Sequence, residues 1–544
     1  MAKHSNGNGR ANNRTAPRID RDGTRPGAGV PVTRRTFLVT AGVSLAAGTA
    51  AGAATVYGMP GGGSTAQNGA ATDAPGGAPG AGGGANTTTF DYTGTYTGAI
   101  TADGEEIESA NETHEATEAD VVAALAQNGG ALTLTEPTLI KSGDDTNGDN
   151  CNFYGVNSIL TVVGEDSSAV VDGGALTSTS EGSNGIFATD GATVLVNGAS
   201  IHTSAGNARG LDATYGGTIV AANMTIETKG DHCAGIATDR GGGSISCAKA
   251  TVSTAGSGSP ILYSTGNIQV SGITGQADDS QLAGMEGLNT ILIHNSELTS
   301  TVTGRTASDP VANGVIIYQS TSGDAEATTG ETATFQAVGS TLKSAIAEGA
   351  LFYLTNTEAA IVVSDSSLDF DTSAARLLYA AGNDANNWGQ AGSNGASATF
   401  TGRGQELEGD VCADSISSVE LFLLDGTTWT GAAEIEKNAN GSTSDAPLTV
   451  NVDATSTWVV TGDCEVSALN VENGGKVVDE SGSAARIVAG GATVAEGDGV
   501  TVTVTGSYGT QVSAGDATEL KGSDDMIDRS AFDKQFGTST AWTM

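Results

Sequence analysis

Apolar and polar positions alternate in short stretches of this chain, and the stretches recur in phase. Gly185-Ile186-Phe187-Ala188, Gly210-Leu211-Asp212-Ala213, Gly235-Ile236-Ala237-Thr238, Pro260-Ile261-Leu262-Tyr263 and Gly284-Met285-Glu286-Gly287 begin 25, 25, 25 and 24 residues apart. A second series reads Thr193-Val194-Leu195-Val196, Thr218-Ile219-Val220-Ala221, Ser244-Ile245-Ser246-Cys247, Asn267-Ile268-Gln269-Val270 and Thr290-Ile291-Leu292-Ile293. A third passes through Ile201, Ile226, Val252, Ile273 and Leu298. Side chains alternate between the two faces of a strand, so each series offers one apolar face and one of Thr, Ser, Asn or Glu. A period in the twenties carried by β-type pieces is that of a solenoid. The expected fold is all-β: a single-stranded right-handed parallel β-helix.

No single coil can bury its apolar face alone, so the core accumulates with stacking. Each inward Ile adds roughly 1.5–3 kcal/mol. The corners need turn formers, which the Gly, Asn and Asp residues supply. Asp239-Arg240-Gly241-Gly242-Gly243 adds one residue to its coil, because Thr218 to Ser244 is 26. A β-sandwich or a string of immunoglobulin-like domains would also give short strands, but not three series in phase over five coils. Roughly 14–15 coils, about 70 Å at strand spacing, are expected.

Some of these stretches resemble a known family. Ala234-Gly235-Ile236-Ala237-Thr238-Asp239-Arg240-Gly241-Gly242-Gly243, Gly258-Ser259-Pro260-Ile261-Leu262-Tyr263-Ser264-Thr265, Phe153-Tyr154-Gly155-Val156-Asn157 and Ser456-Thr457-Trp458-Val459-Val460-Thr461-Gly462 are similar to stretches of bacterial adhesin-like surface proteins with a pectin-lyase-like right-handed β-helix. The resemblance covers about residues 90–512. It implies the fold and offers no catalytic residues to carry over.

The termini read differently. Thr33-Arg34-Arg35-Thr36-Phe37-Leu38 looks like a twin-arginine export signal, with Arg34, Arg35, Phe37 and Leu38 as its core and an apolar run behind it. Residues 1–57 form this signal, with a cleavage site after Ala53 or, uncleaved, a membrane anchor. Residues 58–88 are Gly, Ala and Pro with small polar residues, a composition that cannot pack and reads as a linker. Residues 89–130 should hold short strands around Phe90, Tyr92 and Tyr96. A capping helix is expected over residues 117–125, where Thr117-Glu118-Ala119-Asp120 precedes an Ala-rich run. Residues 131–512 form the β-helix, and 513–544 a tail or second cap.

Charge narrows the partners. The chain carries −39. Residues 1–58 hold 8 basic and 2 acidic residues, leaving 15 and 60 in the remainder, a net −45. Nucleic acid and anionic lipid are poor partners for such a body, and the membrane enters only through an uncleaved N-terminal segment. The charge also keeps a long β-structure soluble. A calcium ion is the one cofactor to consider. Gly143-Asp144-Asp145-Thr146-Asn147-Gly148-Asp149-Asn150 gathers oxygen ligands, and Asp145, Asn147 and Asp149 alternate as in an EF-hand. The match then fails, with Asn150 where Gly belongs and Val156 where the bidentate Glu belongs.

Asp144-Asp145 also raises an enzymatic reading, since glycoside hydrolysis needs two carboxylates. The Asn-Thr-Asp, Gly-His-Gly and Arg-Ile-Lys motifs of β-helix polygalacturonases do not occur, and bases for a lyase are scattered. No catalytic set is identified. Five cysteines, with no Cys-x-x-Cys, argue against a disulfide framework. Cys247 falls in the inward slot of Val196, Ala221, Val270 and Ile293. The expected function is an exported, non-enzymatic surface scaffold or adhesin that binds glycan or another surface polymer, with a β-helix polysaccharide lyase or hydrolase as the alternative. Asn383, Asp384, Asn387 and Trp388 form the candidate ligand loop: an indole among amides suits a sugar ring, provided Trp388 is exposed.

Overall fold

Among the described residues, parallel strands, each paired with its counterpart one coil away, line three faces, the third face being divided between two sheets. A computed structural model describes residues 89–320, 332–385, 388–441 and 444–544. The signal residues Arg34, Arg35, Phe37 and Leu38, the linker 58–88 and Asn387 lie outside them.

The first sheet has 13 strands, from Gly98–Asp103 to Ala433–Glu436. The second runs from Glu106–Ala110 through every coil to Leu448–Val452, then takes in the terminal strands Cys464–Val471 and Thr501–Gly509. The third has 10 strands, from Thr113–Ala116 to Ser367–Asp369, and a four-stranded continuation from Glu406–Glu408. The chain therefore forms a right-handed parallel β-helix, the hand that parallel crossovers adopt. Its 13-stranded ladder gives 13 full coils and a partial fourteenth. The last coil closes on an antiparallel hairpin, Arg486–Ala489 with Ala492–Ala495.

The second series stacks as expected. Val194 aligns with Ile219, Ile245, Ile268 and Ile291, and Val196 with Ala221, Cys247, Val270 and Ile293, all fully buried. Burial pushes the Cys247 thiol up to about 12. In the other two series the expected slots move. Ile186, Leu211 and Ile236 stack, but the next residue in line is Leu262 rather than Ile261, and then Ala283 rather than Met285. The residue added at Asp239-Arg240-Gly241-Gly242-Gly243 lengthens that coil and moves the slot from Ile261 to Leu262. In the third sheet Val252 aligns with Gly275 and Leu298, not with Ile273.

Local propensity misleads near the N-terminus. Residues 117–125 form no helix. Val122–Gln127 is a strand of the first sheet, between Gly98–Asp103 and Leu160–Val163. Two neighbouring strands offer hydrogen bonds on both sides, and this tertiary context overrides the helix propensity of the alanines. Residues 117–121 turn, with Asp120 in the left-handed region and the buried Lys141 ammonium donating to the carbonyls of Glu118 and Gly143. The first coil is instead an acidic edge, with Glu105, Glu106, Glu108, Glu112 and Glu115 exposed; charge on an open edge opposes strand addition. The segment around Phe90, Tyr92 and Tyr96 is not strand. Its rings pack on Tyr154 and Tyr215, Tyr92 stacking on Tyr154 at 5.2 Å.

One left-handed residue per coil stacks at the corner between the second and third sheets: Gly198, Asn223, Lys249, Gly272 and Asn295. Asn and Gly tolerate that conformation; lysine does not do so readily.

The tail is neither an end cap nor loose. Residues 516–544 run back along the outer face of the second sheet. Arg403 donates to Thr518 O and Glu519, Gln336 bonds Glu519 O and Lys521 N, and Gln269 bonds Asp525 O and Ile527 N. The tail ends in helix α2, Ser530–Phe536, whose Phe532 is fully buried against Val220, Ala222 and Ala248.

Candidate functional site

Inward positions of a β-helix are spent on stacking, and only outward positions are free for chemistry. The third sheet presents short rungs such as Thr225, Glu227 and Thr251, and on it His202 faces out to Glu227 at 2.9 Å. The outer face of the first sheet is different. Its outward rows carry aromatic and ionisable residues and are overlaid by a helix and loops.

The first part lies under helix α1, Gly148–Tyr154. This helix is formed by the acidic stretch read as a calcium candidate. Asn147 is its N-cap and accepts from Asn150 N, and Gly155 ends it in the left-handed region. Asp144 accepts from Glu181 N at 3.0 Å. Burial raises the Asp145 carboxyl, which a hydrogen bond with Cys151 partly offsets. Asp149 lies in the first turn. Asn147 and Asp144 thus each accept from a backbone N–H at the helix entry.

Beneath α1 stand Phe187 and Asp212, adjacent on the outward row and both fully buried. Arg209 donates to Asn152 Oδ1 of the helix at 2.9 Å and to Asp239 at 2.8 Å, and its Nε is 3.7 Å from Asp212. Asp239 therefore serves Arg209, while Arg240 lies over the Phe153 ring at 3.6 Å. Among the described residues neither Asp212 oxygen accepts a hydrogen bond. Burial holds the Asp212 carboxyl well above the usual range despite Arg209, with Asp239 adding to the rise. Arg209 keeps its charge because Asp239 and Asp212 outweigh the cost of its burial. The group is a structural clamp that pins α1 to the sheet, closed to any ligand.

Further along, Tyr263 and Tyr318 both donate to Glu286 Oε2, at 2.9 and 3.0 Å. Trp388 packs over Tyr318 with ring centroids 4.3 Å apart. It is 4% exposed, so its faces are not open to a sugar, and the condition for the candidate loop fails. Asn383 is used in holding the loop: its amide donates to Trp388 O and Thr355 Oγ1. Asp384 is exposed. The indole is buried because an outward tyrosine row gives it an apolar partner, and burial there outweighs exposure for so large a ring.

The accessible cluster lies on the next coils. Arg376 donates to Glu434 at 2.9 Å and to Glu436 at 2.6 Å, and its guanidinium lies 5.0 Å from the Tyr379 ring centre. Tyr379 donates to Glu436 at 3.0 Å. Cys412 sits below, within 4.8 Å of both glutamates. Burial raises the Cys412 thiol and the Tyr379 hydroxyl, and Glu436 adds to both. Unlike Trp388, these groups are half-open: Arg376 is 30% exposed, Glu434 38% and Glu436 42%. An arginine across two carboxylates, beside a tyrosine, presents paired donors and acceptors next to a ring face. That arrangement can hydrogen-bond hydroxyl pairs and stack on a pyranose. No residue of this cluster was singled out from the sequence. The available signal was phase, since Tyr379, Cys412 and Glu434 occupy the outward row of three successive strands.

No protein-family model matches this chain, and no curated protein matches it. Among solved structures it is similar to the cryo-EM structure of the Vag8–C1 inhibitor complex, at 9% identity and a TM-score of 0.34, covering 76% of this chain and 98% of that chain.

Proposed function

We propose that this protein is an exported, non-enzymatic scaffold that binds a glycan or similar polymer on the outer face of the first sheet. The observation that carries this reading is the half-exposed set Arg376, Tyr379, Glu434 and Glu436, placed where other faces carry short hydroxyl rungs. A polymer lying along the coils would meet the tyrosine first and the charged pairs beside it. Tyr379→Ala should weaken binding on a glycan array about tenfold or more, in keeping with the loss of one stacking contact. Unchanged affinity would remove this face from consideration.

Export is proposed from Arg34-Arg35 and the apolar run behind them. Among the described residues, no helix is long and apolar enough to cross a membrane. Changing Arg34 and Arg35 to Lys should retain the protein in the cytoplasm; undiminished export would contradict the proposal.

The hydrolase alternative draws on Glu434 and Glu436, two carboxylates on one strand face. Arg376 bonds both, so each carboxylate is already engaged with a guanidinium rather than aimed at open space. Release of reducing ends from polyuronates or host glycans would favour that alternative; binding without turnover favours the scaffold.

A further inference from the structure

The second sheet carries a second interaction surface, unconnected with the first. Its outward row should be polar, yet it includes Leu195, Val220, Ala222 and Ala248. Phe532 of α2 fills the space above them and is fully buried. Beside it Arg529, 3% exposed, donates to Ala221 O at 2.9 Å and to both the carbonyl and the hydroxyl of Ser246. Its Nε donates to Thr540, and Asp533 gathers the N–H and hydroxyl of Thr540 and the hydroxyl of Thr538, folding the segment into a hook. Trp542 then stacks on His294, 5.5 Å between ring centres.

Three properties set this apart from ordinary chain packing. The segment adds no strand to any sheet, so side chains make its hold: the Phe532 socket, Arg529 on backbone carbonyls, and Arg403, Gln336 and Gln269 of the sheet on the tail's own backbone. The connection before it, Ser513-Ala514-Gly515, is exposed and without regular structure. The seat spans eight successive strands of the second sheet, from Thr193–Asn197 to Ser397–Arg403, so it exists only when those coils are already stacked.

We infer that the outer face of the second sheet is a peptide-binding groove whose ligand is this chain's own C-terminal segment, residues 516–544. The segment follows the coils in the sequence and binds a surface complete only after they have formed. It acts as a latch that closes on a finished stack and covers its outward apolar strip. Tethering keeps the groove filled in cis, since a linked peptide meets its site at an effective concentration near millimolar.

The test uses the full chain with a specific protease site replacing residues 513–515. The protein is folded, then cut in the presence of excess labelled peptide 516–544, so the groove is never left empty. The label should enter the body stoichiometrically and saturably. Peptides carrying Arg529→Ala or Phe532→Ala should compete at least tenfold more weakly. No incorporation of label would overturn the inference. So would equal competition by the two variant peptides, because the socket and the carbonyl contacts would then not be what the groove reads.

Discussion

Ile261 occupies the space that a side chain at position 275 would need: a β-carbon built on Gly275 would stand 2.8 Å from Ile261 Cγ2 and 2.9 Å from Leu298 Cδ2. One coil gives up its inward residue in the third sheet, and a residue displaced from the first-sheet ladder fills the gap. Ile261→Ala should therefore cost about 2–5 kcal/mol. Gly275→Val should cost about 1–3 kcal/mol through overpacking. The double variant should lose less than the sum, by about 1 kcal/mol or more. Denaturant unfolding of the four proteins checks this; strict additivity would mean that the two residues do not share a space.

At the second corner, Lys249 has a φ of 54° in a stack otherwise made largely of Gly and Asn. Its side chain is exposed. Lys249→Gly should stabilise the protein by about 1 kcal/mol, because the left-handed conformation costs a residue with a β-carbon that much. Asn223→Gly, at the equivalent place one coil earlier, should change stability by only a few tenths of a kcal/mol. Equal effects at the two sites would show that backbone strain is not the cause.

Asp212 makes the stability of the α1 clamp depend on pH. Its folded pKa lies above the unfolded value of 3.8, chiefly through burial. Folding then favours the protonated form. The contribution is fully present below 3.8 and is lost as pH rises through the elevated folded value. Asp212→Asn, which cannot ionise, should raise the melting temperature relative to the parent at neutral and alkaline pH and bring the two proteins together in acid. A constant difference across pH would mean that Asp212 does not titrate in the folded protein.

The hook of the tail behaves in the opposite sense. Burial pushes the Asp533 carboxyl up, but the hydrogen bonds from Thr540 and Thr538 and the nearby Arg529 outweigh it and leave the carboxyl below 3.8. Its contribution is present above 3.8 and is lost as pH falls through the lower folded value. Trp542 reports on the hook through its stacking on His294. Its fluorescence should hold steady down to about pH 4 and change below that. Asp533→Asn should remove that acid transition.

The buried ladders were legible in the sequence because a solenoid repeats one local environment in every coil. A residue facing inward in one coil faces inward in the next, so the period alone identified Val194, Ile219, Ile245, Ile268 and Ile291 as one stack. Cys247 was placed by the same logic. A coil that changes length departs from the period, and the slot moves from Ile261 to Leu262. The alanines of Val122–Gln127 carry a local helix signal, but hydrogen bonds from two neighbouring coils, invisible in a local window, make them a strand.

The functional surface obeys no period. Arg376 meets glutamates 58 and 60 residues away, and Arg529 meets carbonyls 283 and 308 residues away. The sequence neighbours of Trp388 suit a stacking platform, but its burial is decided by Tyr318, two coils earlier in the chain. The solenoid and its core follow from the order of residues alone, since those rest on a repeated local pattern of burial. Which outward side chains are covered, which are paired and which remain open is settled by the assembled coils. Those outcomes depend on where the helix, the loops and the tail come to lie across coils that the chain reaches at widely separated positions.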